Sequence, residues 1–569
     1  MNKEEQIPQN KFLTWKFIIA VYVVLVAATV AWCLSFDSYE LRGQLISIIP
    51  WFLEANFLLL IVAVALNINS FKKLLKELSV RQLWIVVVLV FLGVIMTTFV
   101  APRVHRIFYD ENIYLNIGQT IAAQHKAAMC ADGSNNYGQY HCSQLEHNKQ
   151  PYAFPYLVSI VYRIFGYSEL GGFLLNNAVF GMAIFVAFLL GFLMFNSYMA
   201  GIYSALVYCL IPENIIWANT TAVEPSAALF SAMVPATALL YIREKKSEAL
   251  FLFSMTLAFA LQFRPESVLI IPVAGLLFWA QDKEILRDKK TYLFLVLAFA
   301  LAISHIVQLY AVSGESWGSA DGPRMGLTYL SYNFKTNILF YLRNVKFPFI
   351  FTSLFVGAIF LRKYFQQKIV LLVWFIMLWG IFIFFYAGSY EFGQDVRFSL
   401  LSYFPLSLLA AMCLISFEEY FTRKANIRII RTVFIVLIFL SFTSFLPNIR
   451  TIGEEANQSR ADHKYARQMF EMLPENSLVL THNPNMFLLW GGNAAQAAIA
   501  TNNKQQINHF IEKYTGGVYF HFNYWCNVDS PREQAFCQNI LDNYDHEVVV
   551  KYSERGYDYV LYQLTGIRD

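Results

Sequence analysis

Two acids, Asp110 and Glu111, stand together just beyond the third apolar run of the chain, and a second polar concentration, Glu146, His147, Asn148 and Lys149, follows in the same loop. Carboxylates held at a membrane surface can take protons from a substrate. Their plainer use is to cap the next helix, since Asp favours helix starts. Capping explains only part of the pattern. Each polar group precedes a run with apolar positions at helical spacing, Ile113–Ala123 after the acids and Tyr152–Phe165 after Pro151. Two such helices lying along the interface would enclose a polar cavity at the bilayer surface. Cationic groups recur at the same level: Arg264 and Arg397 near outer helix ends, and Arg324 in an outer loop. Boundary arginines also anchor to headgroups by snorkelling, and Glu266 offers Arg264 a local ion pair. Glu224, ahead of Pro225, can face substrate or open a helix.

The elements that must hold these residues are membrane spans. The chain has 569 residues, 57% hydrophobic and only 14% charged, against about 25% charged in soluble domains. Apolar runs of the roughly 20 residues that cross a bilayer are predicted at 14–35, 45–67, 83–101, 170–195, 200–216, 225–242, 249–263, 266–281, 291–312, 347–362, 368–387, 398–416 and 430–447. The first run is read as a retained helix, with no small-residue cleavage pattern after it. Lys and Arg concentrate in the short loops 69–82, 243–248, 282–290, 361–368 and 417–431, the last through Arg423, Lys424, Arg428 and Arg431. An N-terminus inside puts every one of these on the cytoplasmic side. The segments 102–168, 313–346 and everything after Pro447 then face outward. The net charge of +4 is too small to imply nucleic acid.

Residues 448–569 differ in character. Short strand-like runs (Ser477–Thr481, Gly517–Phe522, Glu547–Tyr552, Tyr557–Leu564) alternate with polar helical stretches near 461–472, 503–513 and 531–542, which predicts a small extracytoplasmic α/β domain. Cys130 with Cys142, and Cys526 with Cys537, form two close pairs, all four on the outer side. That placement suggests disulfides in an oxidising compartment. A metal site is the alternative, although neither pair has CxxC spacing. Elsewhere no His/Cys/Asp spacing specifies a metal, so none is assigned and a divalent ion stays open. Glu54, inside the second span, is read as a helix–helix hydrogen bond.

Several segments in order resemble the GT-C membrane glycosyltransferases, above all the protein O-mannosyltransferases and the bacterial lipid A aminoarabinose transferases. Asp110-Glu111-Asn112-Ile113-Tyr114 is similar to the family's Asp-Glu segment in the first outer loop. Lys149-Gln150-Pro151-Tyr152, leading to Arg163-Ile164-Phe165-Gly166, is similar to its Lys-Pro-Pro segment and amphipathic helix. Asn219 through Glu224-Pro225 resembles an outer turn, and Val396-Arg397-Phe398 with Pro405 resembles the opening of a late helix. Two departures stand out. An N-terminal hairpin, 14–67, precedes the usual first helix, and Asn148 stands where the family often has an acid or His, with Glu146 and His147 beside it.

The resemblance implies a polytopic α-helical protein of about thirteen spans, residues 1–447 being the GT-C-like catalytic domain. It implies an inverting glycosyltransferase that moves a sugar from a polyprenyl-phosphate donor to a hydroxyl of a protein, lipid or glycan acceptor, among membrane lipids. Asp110, with Glu111, would take the hydroxyl proton. Arg397, Arg264 and Arg324 would hold the departing phosphate, for which the planar guanidinium is suited. Tyr114, Glu146, His147, Lys149 and Glu224 would contact substrate. The alternatives are a transporter or flippase for a lipid-linked substrate, whose usual paired halves with broken helices are not evident, and a surface-glycan polymerase or ligase.

Overall fold

The computed structural model describes residues 14–568 except 108, 316–322, 344–346, 392, 423–425 and 454–456, so Arg423 and Lys424 of the basic loop lie outside the described residues. Among the described residues, eight helices are long and apolar enough to cross a membrane: Trp15–Ser35, Ser38–Leu66, Val80–Phe99, Glu169–Phe195, Glu224–Glu244, Lys289–Ala311, Phe365–Phe384 and Asp395–Phe421. Shorter apolar helices, Tyr198–Cys209, Ser247–Ala260, Pro265–Gln281 and Phe349–Phe360, together with Ile427–Thr443, occupy the remaining predicted spans. Outward faces carry exposed Leu34, Phe91, Phe99 and Leu440. So much apolar surface turned outward fits lipid rather than water, and the chain is an integral membrane protein.

Ion pairs gather the basic loops at one end of the bundle. Lys73 Nζ lies 3.0 Å from Glu244 Oε1, Arg243 pairs with Glu77, and Lys245 with Asp282. Tyr198 Oη donates to Gln82 O (3.2 Å), and Tyr203 Oη donates to Glu418 (3.2 Å), bringing the 417–431 turn to that end. Lys363 pairs with Glu419, adding loop 361–368.

At the other end sits a sheet of seven strands: β1 Met129–Asn136, β2 Gln139–Glu146, β3 Leu478–Thr481, β4 Asn493–Gln496, β5 Val518–Phe522, β6 Tyr544–Glu554 and β7 Tyr557–Ile567, in the order β2-β1-β4-β3-β5-β7-β6. The β3–β4 and β3–β5 pairs are parallel, and the others are antiparallel. Two strands of this sheet come from the long loop after the third span, not from the tail. The β1–β2 hairpin turns at Tyr137 and Gly138, with φ of 52° and 76°, as a tight hairpin turn requires. It docks on the tail through Asp132 opposite Ala495 and Gly133 opposite Ala494.

The helix Asp110–Gln124, expected at the interface, is buried almost throughout. One side packs on the amphipathic helix Ala153–Phe165. The other carries Asn112, Asn116 and Gln119, which would face water on an isolated interfacial helix. Here the tail covers them: Asn483 Nδ2 donates to Asn112 Oδ1 (3.3 Å), Asn485 Nδ2 to Asn116 Oδ1 (2.9 Å), and Gln119 Nε2 to Leu488 O (3.3 Å). The helix is a middle layer, with membrane bundle below and sheet above.

Disulfides join Cys130 to Cys142 and Cys526 to Cys537. The second links the short helix Tyr524–Asn527 to Pro531–Asn543 across 11 residues, and a closed loop of that size is worth about 3 kcal/mol through restriction of the unfolded chain. Replacing both Cys526 and Cys537 by Ser is therefore expected to lower the stability of the tail domain by about 2–3 kcal/mol. Denaturant unfolding followed by tail-domain fluorescence checks this, and an unchanged midpoint would contradict it.

Candidate active site

A cavity of about 390 Å³ opens where the middle layer meets the bundle. Its wall contains Asp110, Tyr114, Lys149, Arg264, Arg324 and Arg397, brought together from five separate segments. Gln150, Glu266, Tyr386 and the apolar Val268, Leu269, Ile381, Phe382, Phe385 and Phe398 also line it. Four cationic side chains thus face two carboxylates beside a hydrocarbon wall.

Asp110 opens its helix after Tyr109, whose φ of 62° lies in the left-handed region, a costly conformation for a residue with a Cβ. Tyr109 is held there by its hydroxyl, which donates to Asp462 Oδ2 of the tail (3.1 Å). What bears on the half-buried Asp110 carboxyl is burial and charge. Burial pushes it above the usual aspartate range, and the Arg397 guanidinium pulls it part of the way back.

Glu111, paired with Asp110 in the sequence reading, points elsewhere. It is fully buried and accepts from Arg106 N (2.6 Å) and Ile107 N (2.9 Å) on one oxygen. The other accepts from Thr221 N (2.7 Å) and Thr221 Oγ1 (2.9 Å). Burial would raise its carboxyl, but His105, 3.1 Å away, and the Ile107 and Arg106 amides outweigh that cost and hold it below the usual glutamate range. Its work is to fix the loop before Asp110 to the 219–224 turn.

Glu224 likewise lies behind the wall, nearly inaccessible, at the start of its helix. It pairs with Arg264 and lies 3.0 Å from Arg397 Nε, so it sets the two guanidiniums side by side. Both lie over the Phe398 ring, at 5.0 and 4.8 Å from its centroid, a favourable place for a cation. Arg264 also pairs with Glu266. Arg324 comes in on a strand-like segment: its carbonyl accepts from Tyr386 N (3.2 Å), and Gly326 N donates to Phe384 O (2.9 Å).

Lys149 is presented by a turn that Asn148 builds. Asn148 Oδ1 accepts from Gln150 N (2.7 Å), and Tyr152 Oη donates to Asn148 O (2.9 Å). Glu146 and His147 are not in the cavity wall. Glu146 ends β2, and His147 packs its ring 5.7 Å from Tyr152, where burial lowers its pKa to about 4. Glu54 reaches beyond its own hairpin to His125 Nε2 (3.0 Å) and Arg163 Nη1 (3.3 Å). Of the wall residues that the sequence reading did not select as site residues, Glu266, Tyr386 and Gln150 are the polar ones. Tyr386 follows a run of aromatic residues read as span, and nothing in its neighbourhood marks it.

Residues 149–307 match the model of the dolichyl-phosphate-mannose-protein mannosyltransferase family. ArnT from Cupriavidus metallidurans bound to undecaprenyl phosphate superposes with a TM-score of 0.53 at 14% identity, over 85% of this chain and 97% of that one. Its apo form gives 0.50 at 14% identity, over 86% and 98%. No curated protein matches the chain by sequence. The chain is an integral membrane protein with the fold of these ArnT structures, and its residues 149–307 resemble the protein mannosyltransferases.

Proposed function

We propose that the cavity receives the head of a sugar donor carried on a polyprenyl phosphate and transfers the sugar, with inversion, to an acceptor hydroxyl. The observation that carries this reading is the wall itself: a net positive polar floor beside an apolar side suits an amphiphile with an anionic head and a hydrocarbon tail. The likeness to an ArnT bound to undecaprenyl phosphate supports the same class of donor.

In this reading the acceptor oxygen attacks the anomeric carbon as the bond from that carbon to the phosphate oxygen breaks. Asp110 takes the hydroxyl proton, and the bonding electrons leave with the phosphate. Arg397 and Arg264, held by Glu224, meet the growing negative charge, with Lys149 and Arg324 completing the cationic ring. The basic loops at the opposite end support a cytoplasmic N-terminus, with the site and the tail facing out. Residues 448–569 cover the helix that carries Asp110, and in this reading they meet the acceptor. The acceptor class stays open among protein, lipid and glycan.

Asp110→Asn removes the base while preserving shape. In vesicles given labelled polyprenyl-phosphate sugars, transfer by Asp110→Asn should fall by about 10²–10⁴-fold, the usual contribution of a positioned base. Undiminished turnover would take Asp110 out of the reaction.

The charge arrangement also fixes a pH response. Asp110 acts ionised, and its pKa is raised, so activity should fall on acidification with a midpoint above the usual aspartate range. Arg397 holds that pKa down, so in Arg397→Gln the acid limb should move to higher pH, beside a drop in maximal rate. A pH–rate profile of both proteins checks the sign, and a limb displaced to lower pH would contradict it.

A further inference from the structure

A second constellation lies behind the cavity, on the far side of Glu111. His105 from the loop before Asp110, Glu169 from the first turn of the span Glu169–Phe195, and His463 from the tail helix Asn457–Met472 converge there, one ligand atom of each lying within 4.8 Å of the other two. His463 Nε2 is 2.7 Å from Glu169 Oε1, and His105 Nε2 is 3.5 Å from the same oxygen. We propose that His105, Glu169 and His463 form a binding site for one divalent transition-metal ion of the zinc type, which fastens the outer domain to the loop that carries Asp110. The inference is independent of the sugar-transfer reading.

Three features point to a ligand rather than to a plain ion-pair cluster. The donor set, two imidazoles and one carboxylate, is one that zinc accepts with water in the fourth position. Bonds of about 2.0–2.1 Å in a tetrahedral site place ligand atoms about 3.3 Å apart, and the two distances above straddle that value. Finally, His105 is already oriented as a metal-bound histidine is. Its Nδ1 lies 3.1 Å from Glu111 Oε2 and 3.1 Å from Thr221 Oγ1, while its buried Nε2 makes no hydrogen bond among the described residues. A carboxylate on one ring nitrogen that leaves the other for a metal is the usual outer-shell arrangement. Phe173 and Trp490 flank the two rings, at 5.1 Å from His105 and 5.2 Å from His463, and so limit solvent access.

The other His/Cys grouping, His482 with Cys526 and Cys537, provides an internal control, because both its cysteines are joined in a disulfide.

The test uses full-length protein in detergent, stripped with chelator and reloaded with zinc or cobalt(II). Elemental analysis should give one zinc per chain for the unaltered protein, with a raised melting temperature on loading. Cobalt(II) should show the visible absorption of a four-coordinate site. Glu169→Gln and His463→Ala should weaken binding about a hundredfold or more, and His482→Ala should leave it unchanged. His463→Gln, which can still donate to Glu169, separates loss of metal from loss of fold: it should elute as the unaltered protein does yet fail to bind. Absence of bound zinc in the unaltered protein, or unchanged stoichiometry in Glu169→Gln and His463→Gln, would overturn the proposal.

Discussion

The cavity depends on a carboxylate that does not face it. Glu111 is an ionised group without contact with water, and it persists because every lone-pair direction is met by a donor: two backbone amides of the loop before it, an amide and a hydroxyl of Thr221, and His105 nearby. Breaking such a buried arrangement by removing one side costs about 3–5 kcal/mol, which exceeds what the local backbone could supply. The left-handed turn at Tyr109 is tolerated for this reason. It is clamped between Glu111 on one side and Asp462 on the other, and the residue between, Asp110, inherits a fixed position.

The same logic runs through the cationic wall. Two guanidiniums side by side would repel one another in a region poor in water. Glu224, placed behind them at the start of its helix, relieves that repulsion and leaves the pair oriented over one aromatic ring. Lys149 and Arg324 add positive charge in the wall, and Asp110 and Glu266 stand opposite in it, with Glu224 and Asp395 acting on the arginines from beside it.

Much of this was legible in the chain because its signals are local. Apolar runs and Lys/Arg loops report on hydration alone, so the spans and the gathering of basic loops at one end follow from composition. The short tail strands read from alternation have counterparts in β3, β5, β6 and β7. The hairpin β1–β2 did not, because its polar strands owe their order to a disulfide and to pairing with β4, some 360 residues later. Of the predicted site residues, those that line the cavity are, apart from Tyr114, charged side chains in or beside a strongly apolar stretch of chain, where charge is noticeable. Glu111 misled because its sequence neighbour is the acid in the cavity wall, and successive helical residues point about 100° apart. His105, Glu169 and His463 share no spacing at all; only the folded chain places them together.

The added N-terminal hairpin shows how the middle layer is kept from sliding. A layer held only from above, by the amide contacts from Asn483 and Asn485, could still slide across the bundle. The second helix of the hairpin closes that freedom. Its Ile46 carbonyl accepts from Ala127 N (2.8 Å), Ser47 accepts from Lys126 Nζ (2.7 Å), and Glu54 bridges His125 and Arg163. These contacts grip the C-terminal end of the Asp110–Gln124 helix and the amphipathic helix beside it. The N-terminal end is gripped by Glu111 and the tail. A helix of 15 residues is thereby pinned at both ends, and the position of its first residue, Asp110, becomes a property of the whole three-layer stack.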